Sequence, residues 1–300
     1  MDSEDIPINE NELSSQLTGL NKGENPLFKK KALIGIIAAI IAAIIIVVII
    51  ILVISLKSGG NGSNSNKKNI IAEINCIYEV QMTSDNTILL GTNFKKNTEL
   101  DIYIKDKLIK YSKQYKFEET GLINVKYAIY ENIDMDYMFQ DVPNLVSINM
   151  TSDKNIQIVS MISTFDNCQD LERLDIKGFD TSRVKSMHKT FHKITKISDE
   201  FFNVNLDTRN VKDMSYMFAL AGFSKINLSI FDTQNVKNMS HMFEGCSSMI
   251  FFNFDNFVTS EVIDMSYMFQ SCSSLNYLDL SNLTQKMSEI CRICFQIVFH

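Results

Sequence analysis

Phenylalanine recurs along this chain at Phe139, Phe165, Phe191, Phe218, Phe243, Phe269 and Phe295, with gaps of 26, 26, 27, 25, 26 and 26 residues. A period held this tightly is foreign to a single irregular core. It implies stacked supersecondary units, each burying its apolar edge only against its neighbours. The repeat therefore predicts a solenoid whose task is to present a surface.

Other columns fall into the same register. Ile158, Val184, Val211, Val236 and Val262 stand three residues before a Met column of Met161, Met187, Met214, Met239 and Met265, which begins at Met135. Cys168, Cys246 and Cys272 follow three residues after a frame phenylalanine. A Leu-x-x-Leu-x-Leu segment comes next, as in Leu171, Leu174 and Ile176 or Leu275, Leu278 and Leu280. Alternation in Leu-x-Leu predicts a short strand. The spacing of three and four in Val-x-x-Met-x-x-Met-Phe predicts a helical or 3₁₀ turn. Polar bends such as Phe179-Asp180-Thr181 and Phe231-Asp232-Thr233 join the two. The expected fold is thus a leucine-rich-repeat-like α/β solenoid, one short parallel strand plus one helical turn per unit of about 26 residues. It would span 131–300 as seven units, the last degenerate.

Segments such as Asn210-Val211-Lys212-Asp213-Met214-Ser215-Tyr216-Met217-Phe218 and Leu278-Asp279-Leu280-Ser281-Asn282 resemble the BspA-type leucine-rich repeat surface proteins. The closer resemblance is to the variant with an Asp-Met-Ser-Tyr-Met-Phe core, over roughly residues 131–283. It implies a surface-exposed repeat protein, in some relatives involved in adhesion, and no catalytic residues. The third unit departs from the pattern by one extra residue near Ser198.

Upstream of the array the composition changes sharply. Residues 32–56 carry no charge, and at about 1.5 Å per residue they would reach some 37 Å, enough to cross a bilayer core of ~30 Å. The run is longer than a signal-peptide core and lacks a small-x-small cleavage site, so it reads as a transmembrane signal-anchor helix. Lys29, Lys30 and Lys31 abut its start, which places the N-terminus in the cytoplasm and the repeats outside, as in a single-pass type II protein of the plasma membrane. Residues 1–31, acidic and without apolar periodicity, read as a disordered cytoplasmic tail, and the Gly/Ser/Asn-rich 57–68 as a flexible spacer. Residues 69–130 lack the frame; their Ile, Val, Tyr and Leu clusters between polar turns predict a β-rich N-terminal cap or stalk. At the other end, Ile297-Val298-Phe299-His300 is apolar where a stack needs a polar cap. It reads as an improvised cap, or as an array truncated or frameshifted relative to its relatives, and its edge offers a route to self-association.

Residues with chemical potential are few. Six cysteines in an exported domain invite disulfides, yet equivalent side chains on parallel rungs point the same way, which favours buried, reduced thiols; Cys76 has no evident partner. Cys291 and Cys294 are half a zinc motif and fall where the two Met columns belong. His188 and His192 stand four apart, but Lys189 replaces the Glu of a zinc-enzyme motif, so no metal, no cofactor and no enzyme activity are expected. Net charge is −6, and beyond residue 56 the chain holds 25 basic against 29 acidic residues, which argues against nucleic acid as a partner.

The strand face is the better candidate site. Alternation turns outward Ser147, Asn149 and Thr151; Arg173, Asp175 and Lys177; Lys225, Asn227 and Ser229; Phe251, Asn253 and Asp255; and Tyr277, Asp279 and Ser281. An Asn/Asp column with two adjoining aromatics reads either as a solvated ladder tying the rungs or as a binding strip. On the second reading Arg173, Asp175, Lys225, Asn227, Phe251, Asn253, Tyr277 and Asp279 form the candidate site. Asn61, Asn149, Asn227, Asn238 and Asn282 lie in sequons and are glycosylation candidates. The expected function is a non-catalytic, cell-surface repeat protein that binds a partner protein or glycan in adhesion or recognition. The alternative is a coat or stalk protein that self-associates through the solenoid.

Overall fold

The computed structural model describes residues 69–254 and 257–278, all within a compact unit that begins at Lys68; the other unit, Met1–Lys67, lies outside the described residues. Twelve strands follow one another: β1 Ala72–Val80, β2 Thr87–Ile88, β3 Leu100–Ile104, β4 Lys107–Ile109, β5 Gln114–Tyr115 and β6 Gly121–Ile129, then β7 Ile133–Asp134, β8 Leu145–Ser160, β9 Arg173–Asp180, β10 Phe202–Val204, β11 Phe251–Phe252 and β12 Tyr277–Leu278. The main sheet runs β10-β9-β8-β1-β6-β3-β4, with β7 paired to β8 on the side. β8, β9 and β10 are parallel, as successive units of a repeat must be. β1 lies antiparallel to both β8 and β6, so the segment before the array continues its sheet.

The helical turns expected in each unit are absent, and the α/β solenoid gives way to a β-rich architecture with almost no helix. Among the described residues the only helices are two 3₁₀ turns of three residues, Asp199–Phe201 and Leu228–Ile230. What stands in place of a helix is a run of β-turns. Met138 N–H closes on Met135 O at 3.0 Å, Gln140 on Tyr137 at 3.2 Å and Val142 on Phe139 at 3.3 Å. Tyr137 and Asp141, third in the first and last of these turns, have φ of 61° and 53°. Positive φ at that position is the mark of a type II turn and forbids a continuous helix. The same two positions are left-handed in the later units, at Ser163 and Asn167, Lys189 and Lys193, Tyr216 and Leu220, His241 and Gly245, and Tyr267 and Ser271.

The amides between these turns reach across to the next unit. Met135 donates to Ser160 O, Tyr137 to Ile162 O, Phe139 to Thr164 O and Asp141 to Asp166 O, all at 2.9–3.0 Å. Two units on, Met187, Lys189, Phe191 and Lys193 bond Asp213, Ser215, Met217 and Ala219 in the same way. Side chains reinforce the ladder. Thr164 and Thr190 hydroxyls donate to Met135 O and Met161 O, and the Cys168, Cys246 and Cys272 thiols to the carbonyls of Phe139, Phe218 and Phe243. In the bends, Asp180, Asp207 and Asp232 each accept the amide two residues on, while Thr181, Thr208 and Thr233 are buried and bond a carbonyl of the following unit.

The frame phenylalanines fill the centre. Phe139, Phe165, Phe191, Phe218, Phe243 and Phe269 are fully buried, each ring stacked on the next at 5.5–6.1 Å between centroids and within 12° of parallel. Offset stacking at this separation adds to the area buried. Met, Val and Cys columns surround the stack, all buried, and Tyr127 closes its N-terminal end edge-on to Phe139 at 5.7 Å.

Among the described residues no helix is long and apolar enough to cross a membrane. This runs against the transmembrane signal-anchor reading and the single-pass plasma-membrane placement built on it. The segment concerned, 32–56, lies outside the described residues, as do the tail 1–31, the spacer 57–68 and the C-terminal residues 279–300.

Two substitutions test this packing. Phe243→Ala removes one ring from a stack in contact on both sides and is expected to cost ~3–5 kcal/mol. Leu220→Gly replaces a half-exposed side chain at φ 58° with the residue that unit five already uses at this position, Gly245. It is expected to raise stability by about 1 kcal/mol. Urea denaturation midpoints read both.

Candidate binding face

Register across the main sheet brings six outward side chains into one transverse row. Tyr103 faces Lys126, Lys126 faces Asn75, Asn75 faces Asn149, Asn149 faces Asp175, and Asp175 faces Asn203. With strands ~4.8 Å apart, the row extends about 24 Å. Its members alternate with buried neighbours such as Ile74, Cys76, Ile148, Met150, Leu174 and Ile176, which is why all of them face outward. Lys126 Nζ stands 5.2 Å above the Tyr103 ring and 3.6 Å from Glu73. Asp175 Oδ2 accepts from Lys177 Nζ at 2.9 Å and from Asn203 Nδ2 at 3.4 Å, while its Oδ1 is out of solvent with no partner in the structure. Beside the row the Arg173 guanidinium lies 4.2 Å over the exposed ring of Phe201.

Of the residues singled out from the sequence, Arg173 and Asp175 lie on β9 within this face. Lys225 and Asn227 do not extend it as strand residues. The chain from Ser224 to Ile230 leaves the ladder because Asn227 Oδ1 takes the Ser229 amide at 3.1 Å and its hydroxyl at 2.6 Å, and a 3₁₀ turn follows. Local bonds of this kind compete with strand pairing. Lys225 and Asn227 instead line a cavity of about 210 Å³ with Asp199, Asn203 and Phe202. Phe251, 47% exposed, lies on β11, which pairs with β12 so that Phe251 faces Tyr277 in a separate two-stranded sheet. Asn253 follows β11 on the exposed side, and Asp279 lies outside the described residues. Of the sequons, Asn149 and Asn227 are exposed, Asn238 is partly buried with its Oδ1 bonded to Ser240, and Asn61 and Asn282 lie outside the described residues.

Repeat spacing alone does not single out Tyr103, Asn75, Lys126, Phe201 and Asn203. Alternation within Ile74–Val80 and Leu122–Tyr130 marks Asn75 and Lys126 as outward, but nothing in the pattern shows that β1 pairs with β8. Asn203 stands 28 residues after Asp175 and so falls outside the 26-residue columns.

The histidines His188 and His192 are engaged in local bonds. His188 Nδ1 is 2.7 Å from Ser215 Oγ, which donates to Asp213 Oδ1 at 2.6 Å. The serine proton is thus directed at a carboxylate and the imidazole donates to the serine, the reverse of what an activated nucleophile needs. His192 Nδ1 pairs with Asp166 Oδ1 at 2.6 Å in a buried contact, and the two histidines do not converge on a shared point. Among the described residues no group of three or more His, Cys, Asp or Glu could hold a metal ion. Burial raises the Asp166 carboxyl, but the His192 bond and charge, with Gln140 and Lys189, outweigh it and leave a net lowering. Cys76, Cys168, Cys246 and Cys272 are free and buried; burial pushes all four thiols up, that of Cys272 to about 11. Cys291 and Cys294 lie outside the described residues.

A β-rich array of stacked units with a polar outward face defines the class: a repeat protein distinguished by its exposed columns. Two overlapping matches, residues 133–248 and 159–283, connect it to the family described as Mycoplasma protein of unknown function, DUF285. Together they cover about half of the chain, and the chain belongs to this family. No curated protein and no solved structure matches it.

Burial also holds the His188 imidazole below its ordinary range, with Lys189 and His192 adding to the effect against Asp213 and Asp166. The folded chain therefore favours the neutral ring. The stability this lends is fully present above about pH 6.5, the unfolded value, and is lost as pH falls through the lower folded value. His188→Gln should flatten the loss of stability just below pH 6.5, seen as a smaller change in melting temperature than in the parent chain.

Proposed function

We propose that the chain is a non-catalytic repeat protein that binds a partner protein or glycan through its strand face. The observation that carries this reading is the row from Tyr103 to Asn203, six outward polar or aromatic side chains across six paired strands. Amide and carboxylate groups held on a rigid sheet lose little entropy when a ligand meets them. Asp175 adds a carboxylate oxygen already out of water and unpaired, at a cost of about 1–3 kcal/mol that a ligand donor relieves when the carboxylate turns. Phe201, under Arg173, supplies exposed aromatic surface beside it, and Phe251 supplies more on the separate β11-β12 sheet. The engagement of His188, Ser215, His192 and Asp166 in bonds to one another or to Asp213 supports the non-catalytic part of the reading. The recurrent Asp-Met-Ser-Tyr-Met-Phe core supports a narrower place in the BspA-type variant.

The test is a screen of the full chain against surface proteins and glycans, followed by variants of the face. Phe251→Ala and the pair Asn149→Ala with Asp175→Ala should each weaken the ligand found by ~1–3 kcal/mol, with unchanged circular dichroism and melting. Unaltered affinity in both would show that the face is only a solvated ladder.

A further inference from the structure

The turn segments carry a second surface that no single stretch of sequence reveals. Backbone bonds place Lys185, Lys212 and Lys237 on successive units: the Lys212 amide donates to Lys185 O and the Lys237 amide to Lys212 O, both at 2.8 Å. All three side chains are exposed, and none forms an ion pair or hydrogen bond within the described residues. Arg183, Lys189 and Lys193 extend the band along the third unit, with Lys189 Nζ 5.5 Å over the Tyr216 ring. Three exposed lysines thus form a line across successive units of a chain whose net charge is −6. Of the carboxylates on these segments, Asp213 is bonded to Ser215 and Glu244 to His241 at 2.7 Å, while Asp166 feels the charge of Lys189 and Glu261 is exposed one unit beyond Asn235. Like charges on adjacent rungs repel, and no internal counter-ion relieves the ladder.

Asn210 and Asn235 alternate with the lysines. Their Nδ2 atoms donate to Ser182 O and Arg209 O at 2.8 and 2.7 Å, which fixes each amide with its Oδ1 unpartnered in the described structure and the side chain exposed. A ligand suited to this edge offers anions in a line and hydroxyl donors between them. A DNA backbone supplies the anions but no donors. The rings of Tyr216, His241 and Tyr267 stack on one another at 4.2 and 4.8 Å, so their facing surfaces are closed to a base. We infer that the Lys185–Lys212–Lys237 edge binds an acidic polysaccharide, its carboxylate or sulfate groups on the lysines and its hydroxyls on Asn210 and Asn235. The site is separate from the strand face and does not depend on it.

The experiment titrates the full chain with heparin and with polygalacturonate, and in parallel with duplex DNA and phosphatidylserine vesicles. Either glycan should bind, and binding should weaken steeply with added salt. Combined Lys185→Gln, Lys212→Gln and Lys237→Gln should lower affinity at least tenfold with unchanged melting, and Lys212→Glu alone should lower it in the same direction. Phe251→Ala should leave glycan affinity intact. The inference is overturned if neither glycan binds at low salt, if the triple variant binds as the parent does, or if DNA or vesicles bind as tightly as the glycans. It is equally lost if Phe251→Ala removes glycan binding, which would assign the glycan to the strand face.

Discussion

Each turn segment carries twice as many amides as its own turns can use, and the division of these donors organises the array. One set closes β-turns within the unit, as Met138, Gln140 and Val142 do; the alternating set, Met135, Tyr137, Phe139 and Asp141, reaches the carbonyls of the next unit. Buried backbone groups must find partners, and this scheme satisfies them in two directions at once. Its cost is a left-handed residue twice per unit, nearly always without glycine, at about 1–2 kcal/mol for each. The ladder bonds and the stacked phenylalanines offset that strain only when a neighbour is in place, so the conformation belongs to the array and not to the isolated unit.

The same division explains what could be read in advance. The period, the Phe column and the inward Met, Val and Cys columns follow from spacing alone, and the buried ring stack lies where that spacing points. The conformation of Val-x-x-Met-x-x-Met-Phe does not. Apolar residues three apart suit a helical turn as well as linked type II turns, and glycine would have signalled the left-handed positions. Tyr137, Ser163, Lys189 and Tyr216 occupy them instead. Chain-local pattern likewise marked Asn149 and Asp175 as outward, whereas the row through Asn75 and Lys126 depends on β1 lying antiparallel to β8. That pairing sets Asn75 opposite Asn149, more than seventy positions away, and leaves no trace in either strand.

A repeat multiplies whatever stands in its outward columns. Polar residues on the strands become a row of amides and carboxylates, and a single lysine per turn segment becomes a line of charge. The net acidity of the chain conceals this, since total charge says nothing about columns. Functional surface in such a protein is therefore a property of register. The third unit shows this: its strand begins late, so Asn203, 28 residues after Asp175, comes into line with it, and Phe201 lies under Arg173.

The interruption at Ser224–Ile230 gives the array unequal stiffness. Strand pairing stops at β10 and resumes at β11, in a separate sheet, while the turn-side bonds continue through the same units from Phe191 and Lys193 to Phe218 and Phe243. The turn side acts as a continuous spine and the strand side as a jointed one. Bending should concentrate at this joint, opening or closing the strand face next to Asn203 and Phe251 while the spacing of the turn edge stays fixed. One side of the molecule can then adapt its curvature to a partner, and the other keeps the pitch of a ruler.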